Sequence, residues 1–344
     1  IIHGQSHKGS TYHISKILAD KLDGEVKEIF LPRDFGEFCI GCTQCFHKSE
    51  TLCPHYEKLK PLTKALDEAQ QEAMHLPISK KPVEVKESKI ERALELISKS
   101  ERPFVYTGGG LLAAEACNEL KTLVEKIDAP VSCSLMCQGG FDQADDRYMG
   151  MLGMHGTKTA AEALKHCDLF LAVGTRFSDR VICNANLFAR HCPIIQIDID
   201  PAEFNKNIDV TLKLGGDAKQ ILSLLNEKLE QQNHKEWMDE VGELKNKYPL
   251  ALDKTTLNGP SIIDALYEIT NGDAIVTTDV GQHQMWAAQF YKYKETRQLI
   301  TSGGVGTMGY GVGACIGAKM ANKDRICVNI AGDGCFRMNM NEIA

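Results

Sequence analysis

An apolar run from Ile326 to Ile330 leads into Gly332-Asp333-Gly334, with Asn339 and Asn341 just beyond. An aspartate at the carboxyl end of a buried strand, flanked by glycines that let backbone N–H groups approach oxygen anions, suits a hard divalent cation bridging a diphosphate. Alone, Gly-Asp-Gly is also a common tight turn. A second constellation, Cys39, Cys42, Cys45 and Cys53, has a spacing whose thiolates suit iron–sulfur or zinc chemistry. The rest of the 13 cysteines are spread singly from Cys117 to Cys335 and read as small buried thiols. Gly108 and Gly110 follow a strand pattern and precede a helical one, so their backbone can approach a pyrophosphate at a helix N-terminus.

These residues need rigid elements behind them. The chain has 344 residues, of which 43% are hydrophobic and 25% charged, with 29 Gly and 11 Pro, an ordinary globular composition that excludes disorder, collagen and coiled coil. A net charge of −7 with scattered basic residues leaves no electrostatic footprint for nucleic acid. No apolar stretch is long enough to span a bilayer and no charged-then-apolar leader opens the chain, so no membrane and a cytoplasmic location are expected. Beginning at Ile1 and stopping at Ala344 in a helical pattern, it reads as a fragment or a fusion. Helix and strand patterns alternate: helix 89–98, strand 103–106, helix 113–127, strand 130–135, helix 158–166, strands 169–173 and 194–199, and helix 218–229. A later series runs helix 261–269, strand 274–278, helix 284–291, strand 298–302, helix 309–320 and strand 325–331. The fold class is α/β, built of three-layer domains with parallel sheets. Expected boundaries are a partial domain at 1–74, a linker at 75–85, a central domain at 86–230, a charged, weakly helical linker at 231–258 and a last, partial domain at 259–344.

Residues 326–344, with Val280-Gly281-Gln282-His283-Gln284-Met285-Trp286 and Ser302-Gly303-Gly304-Val305-Gly306-Thr307-Met308-Gly309-Tyr310-Gly311, closely resemble the diphosphate-binding domain of the large catalytic subunit of acetolactate (acetohydroxyacid) synthases, which are thiamine-diphosphate enzymes. The motifs 151–157, 174–181, 197–203 and 216–218 resemble successive signatures of the central domain of that family. Two departures, Cys137-Gln138 in place of Leu-Gly and Gly313 in place of a common proline, bear on local loop geometry. The resemblance implies condensation of two 2-oxo acids, pyruvate with pyruvate or 2-oxobutyrate, in branched-chain amino-acid biosynthesis. It implies a homodimer or higher assembly and a candidate regulatory small subunit. Val280, Gly281, Gln282, His283, Gly306, Met308, Gly334 and Cys335 would surround thiamine diphosphate, with Asp333 on Mg²⁺ and Met308 as a wedge. FAD, serving structure rather than net redox, would meet Gly108, Gly110, Leu152, Gly153, Met154, His155, Gly174, Thr175, Arg176, Arg180, Asp198, Ile199, Gly216, Asp217, Ala218, Gln284 and Met285. In physical terms, Arg176 and Arg180 follow a strand and could contact a dinucleotide, and Asp198 ends one where a carboxylate accepts ribose hydroxyls; as ordinary residues they would form surface salt bridges.

The glutamate that activates the cofactor in this family has no counterpart here, so no catalytic residue is assigned and this polypeptide alone is expected to be inactive. Residues 1–70 resemble half of a flavodoxin-like NAD(P)H-dependent FMN reductase or related iron–sulfur flavoprotein. That resemblance implies an FMN phosphate on Ser6, Lys8, Ser10 and Thr11 and a candidate 4Fe-4S cluster on Cys39, Cys42, Cys45 and Cys53. The alternative functions are therefore an FMN or iron–sulfur oxidoreductase, or a non-catalytic FAD-binding module.

Overall fold

A computed structural model describes residues 85–343 except Asn186, together with the short strands β1 (Ile2–His3) and β2 (Ile29–Phe30). Ile2 pairs in parallel with Ile29 and His3 with Phe30, in a unit of its own that ends at Lys80. Ser6, Lys8, Ser10, Thr11, Cys39, Cys42, Cys45, Cys53 and most of the 75–85 linker lie outside the described residues.

From Lys81 onward the chain is one compact unit containing two parallel sheets. The larger has six strands: β3 (Pro103–Thr107), β4 (Val131–Cys133), β5 (Tyr148–Met151), β6 (Leu169–Val173), β7 (Ile194–Asp198) and β8 (Leu212–Gly215). Their spatial order is β5-β4-β3-β6-β7-β8. The chain starts in the middle, winds outward to one edge, then returns to wind toward the other. The order therefore reverses between β3 and β6, the place where open α/β sheets bind ligands. Strands β3, β6 and β7 are buried along their whole length because helices cover both faces. Val105, Leu171, Ile195 and Ile197 face one core cluster, and Phe104, Tyr106, Phe170 and Ala172 face the other.

The first face is covered by α1 (Glu87–Ser98), α2 (Gly109–Ala113), α3 (Cys117–Lys126) and α6 (Ala218–Lys228). On the second lie α4 (Lys158–His166), the short α5 (Asp179–Ile182) and α7 (Lys235–Lys247). Helix α7 corrects the reading of 231–258 as a linker. Its sequence is charged, but Trp237, Val241 and Leu244 recur at helical spacing and are buried in the second core. Trp237 is 2% exposed and its indole N–H donates to the Pro103 carbonyl at 2.9 Å.

The smaller sheet holds β9 (Ile275–Thr278), β10 (Leu299–Thr301) and β11 (Cys327–Ile330) in the order β10-β9-β11. Around it are α8 (Gly259–Ile269), α9 (Gln282–Phe290), α10 (Tyr310–Ala321) and α11 (Asp333–Asn339). Asn258 caps α8 in a reciprocal pair with Ser261, which explains why that helix starts before Pro260. Gly313 lies inside α10 with no atom near where a side chain would begin, and Cys137 closes a single 3₁₀ turn, so neither departure disturbs an element. No helix among the described residues is long and apolar enough to cross a membrane.

Candidate functional site

Both sheets gather their chemistry at the carboxyl edge. In the smaller sheet the order reverses between β9 and β11, so the loops after these strands, 279–281 and 331–332, form one cleft. His283 stands between them. A Cβ on Gly281 or Gly332 would lie 2.9 or 3.3 Å from its ring carbon Cε1, so both loops press their bare backbone on the imidazole. The buried Nε2 of His283 has no partner among the described residues, and burial lowers its pKa against the pull of Asp279, which keeps the ring neutral near pH 7. Asp279 is fully buried at the end of β9: Oδ1 accepts from the Gly311 N–H at 3.1 Å, in the first turn of α10, while Oδ2 has no partner. Asp333 opens α11 directly beside Gly332, and its exposed carboxylate makes no hydrogen bond or ion pair among the described residues. A helix N-terminus with unpartnered polar atoms around it suits an anion and its counter-cation.

The loop after β10 completes the cleft edge. Ser302 accepts from the Gly306 N–H through its carbonyl and from the Thr307 N–H through its hydroxyl, both at 3.0 Å, and Met308 follows with 47% of its surface exposed. Val280, Gly281, Gln282, His283, Gly306, Met308, Asp333 and Gly334 thus all belong to carboxyl-edge loops or the helix turns that follow them. Cys335 does not present its thiol there: it is 3% exposed and donates to the Val280 carbonyl at 3.4 Å, tying α11 to the β9 loop. Asp279 lies outside the motifs read from the sequence, and Ser302, which opens one of them, had no role assigned there. The signal for Asp279 was its place immediately after an apolar strand, the same place that singles out Asp198.

In the six-stranded sheet the loops after β3 and β6 meet at the reversal point. Gly108 and Gly110 donate to the Val173 and Gly174 carbonyls, each at 2.9 Å, and Gly174 adopts φ +59°. A Cβ on Gly110 would lie 2.7 Å from the Gly174 Cα, and one on Gly174 2.5 Å from the Leu111 nitrogen. These glycines thus serve close packing of one loop on the other, beyond any approach to a ligand. Met154 N donates to the Arg180 carbonyl at 2.8 Å, which draws the β5 and β6 loops together as well.

The carboxyl-edge loops of this sheet carry both polar and apolar exposed side chains. Arg176 and Arg180 are exposed, and neither guanidinium has a partner among the described residues, so the surface salt bridges that would explain them are not formed. Met154, Leu187 and Ile199 are exposed apolar residues on the connections after β5, β6 and β7, and His155 is exposed rather than a core histidine. Asp198 is nearly buried at the end of β7; burial raises its pKa, partly offset by the Asp200 N–H that donates to it at 2.9 Å. Four expected contacts take other work in the fold. Leu152 packs in the second core and Ala218 in the first. Asp217 caps α6 by accepting from the Gln220 N–H at 3.1 Å. Gln284 is buried and donates to the Thr301 hydroxyl at 2.7 Å. Thr175 is buried, Gly153 and Gly216 hold positive φ in the same edge loops, and Met285 is half-buried on α9.

A doubly wound central sheet beside a second parallel sheet with an anion-ready cleft defines a cofactor-binding α/β enzyme. Comparison with known proteins agrees: residues 90–225 match the thiamine pyrophosphate enzyme central domain and residues 279–344 the C-terminal TPP binding domain, so the chain belongs to the thiamine pyrophosphate enzymes. Within them it is similar to a chloroplastic acetolactate synthase of Arabidopsis thaliana, 43% identical over 285 residues, which is 80% of this chain and 42% of the relative. Similarity extends to the acetolactate synthase large subunit of Corynebacterium glutamicum, 42% identical over 262 residues (74% of this chain and 42% of that one). It also extends to the acetolactate synthase isozyme 2 large subunit of Escherichia coli, 39% identical over 258 residues (74% and 46%). The chain thus spans less than half the length of these relatives.

Proposed function

We propose that this chain supplies the cofactor-binding portion of an acetolactate synthase catalytic subunit, which condenses pyruvate with pyruvate or 2-oxobutyrate in branched-chain amino-acid biosynthesis. The observation that carries this reading is the cleft between β9 and β11, where Asp333 and the buried Nε2 of His283 lack partners among the described residues, beside a helix N-terminus. Those orphaned groups fit a diphosphate and its Mg²⁺. Thiamine diphosphate, when bound, supplies the electron sink for decarboxylating a 2-oxo acid. Asp333 would hold the metal through its carboxylate, with backbone N–H groups of Gly334 and its neighbours on the diphosphate. A neutral His283 can donate one ring N–H without adding a charge that competes with the metal. Met308 would present an apolar wedge held up by the Ser302 turn, fixing the cofactor's conformation.

The edge of the six-stranded sheet we assign to FAD in a structural role. Two unpaired guanidiniums suit a pyrophosphate, Asp198 suits ribose hydroxyls, and Met154, Leu187 and Ile199 offer an apolar surface to a ring system. Assembly with a second copy of the chain, and with a regulatory subunit, belongs to the same reading.

Calorimetric titration with thiamine diphosphate tests the first assignment. Binding is expected with Mg²⁺ and is expected to weaken at least about tenfold in Asp333→Ala. Equal binding by the variant would refute the assigned role of Asp333. For the second assignment, the flavin released on heating the purified chain should be FAD; release of FMN alone would point instead to the N-terminal segment.

A further inference from the structure

The connection between β6 and β7 leaves the carboxyl edge at Gly174, carries Arg176 and Arg180, and returns to the opposite edge at Pro193. Strands β6 and β7 are parallel neighbours with Phe170 opposite Ile194, so the residues just ahead of each strand are brought together. Ahead of β6 stands Cys167; ahead of β7 stand His191 and Cys192. Cys167 Sγ lies 3.7 Å from Cys192 Sγ and 4.0 Å from His191 Nε2, and the three ligand atoms are all within 4.8 Å of one another. Cys167 is buried, Cys192 half-buried and His191 exposed.

These distances can be compared with two chemistries. Two sulfurs each about 2.3 Å from a tetrahedral zinc ion stand roughly 3.8 Å apart, and a sulfur and an imidazole nitrogen roughly 3.6 Å apart. The observed sulfur–sulfur separation matches that edge, and a small turn of the exposed imidazole supplies the other. A disulfide requires about 2.05 Å and an oxidant, so the sulfurs would have to move much further. Ala189, at φ +46°, holds the left-handed conformation that residues with a Cβ seldom adopt, and it turns the chain just ahead of His191 and Cys192.

We propose that Cys167, His191 and Cys192 form a binding site for a thiophilic divalent cation of the zinc class, which clasps the returning end of the β6–β7 connection to the amino edge of the sheet. Two metal–sulfur bonds and one metal–nitrogen bond form, water takes the fourth position, and the protons of both thiols leave to solvent, so two thiolates neutralise the ion. Asp168 is not the fourth ligand. Its carboxylate is taken by the Ser100 hydroxyl at 2.5 Å and by the N–H groups of Glu101 and Arg102 at 2.8 and 3.0 Å. The clasp sits at the amino edge of the six-stranded sheet, opposite that sheet's carboxyl-edge loops, and does not depend on a cofactor being bound there.

The test is zinc stoichiometry. The full chain is equilibrated with Zn²⁺, dialysed and assayed for bound metal, and the site is then probed with Co²⁺, whose visible spectrum reports tetrahedral thiolate coordination. Because Cys39, Cys42, Cys45 and Cys53 could hold metal of their own, the readout is a difference. Cys167→Ser/Cys192→Ser should bind one equivalent less than the parent chain. His191→Ala, at an exposed position and with its fold checked by circular dichroism, should weaken that equivalent at least about tenfold. Cys183→Ser should match the parent. Unchanged stoichiometry and affinity in both the double variant and His191→Ala would overturn the proposal, as would a Cys167–Cys192 disulfide in the chain as purified.

Discussion

The two parallel sheets of this chain put their loops to the same use but are finished differently. In the six-stranded sheet four strands are buried end to end, and helices on both faces close two continuous cores. The three-stranded sheet has one small core; β11 is only half-buried, and α10 leaves Ile316 and Met320 exposed, the latter at 72%. Helix α10 is apolar around most of its circumference, a pattern that belongs to a helix covered on several sides. The contrast separates two demands. A site floor needs only local loop packing at a reversal point, which both sheets achieve. Stability as an isolated body needs both layers sealed: Val276 of β9 shares a core with α8 and α9 and Thr277 on the other face meets α10 at the Gly311 carbonyl, yet α10 keeps apolar side chains exposed.

The largest way to break the contrast is to remove what seals the larger sheet. Trp237→Ala should destabilise that domain by about 3–5 kcal/mol, and it also leaves the Pro103 carbonyl without its donor. Urea unfolding followed by circular dichroism measures it; a loss under about 1 kcal/mol would mean that α7 is decoration rather than part of the core. Next is the loop junction. Gly174→Ala places a Cβ against the Leu111 nitrogen at positive φ and should cost on the order of 1–3 kcal/mol, together with loss of whatever ligand the cleft holds. Gly313→Ala in α10 has open space and should do the reverse, stabilising by about 0.5–1 kcal/mol in a thermal melt. If both glycine substitutions moved stability in the same direction, the proposed difference between a locked loop and an uncovered helix would collapse.

A smaller effect concerns pH. Burial raises the pKa of Asp198 in the folded state, so its contribution favours folding below the ordinary value of 3.8 and is lost as pH rises through the higher folded value. Asp198→Asn should therefore be slightly more stable than the parent at neutral pH, with the two converging in acid. A parent that stayed the more stable at neutral pH would show that the Asp200 N–H bond outweighs desolvation.

Much of the frame was legible because buried parallel strands write themselves as short apolar runs: 169–173 and the helix 158–166 read with the bounds they have. The edge strands escaped notice. Tyr148-Met149-Gly150-Met151 carries a glycine and Leu212-Lys213-Leu214-Gly215 a lysine, as strands open on one side can. Helix α7 read only as a weakly helical linker because of its charge, although three buried residues in thirteen suffice to anchor it. The motif residues were legible as a set, but their grouping was not. Strand order decides which loops share a cleft, and that order is a property of the packed sheet. The same holds for Cys167 and Cys192, which look like isolated thiols until β6 and β7 are paired.

The junction at Gly108, Gly110 and Gly174 has a consequence for exchange with solvent. Its amides donate to the carbonyls of Val173, Gly174 and Ile197, two of them strand residues, so the first and last of these amides can open only when the sheet itself does. A surface cleft whose floor shares the protection of the core is already ordered before any ligand arrives, and little conformational entropy is left to lose on binding.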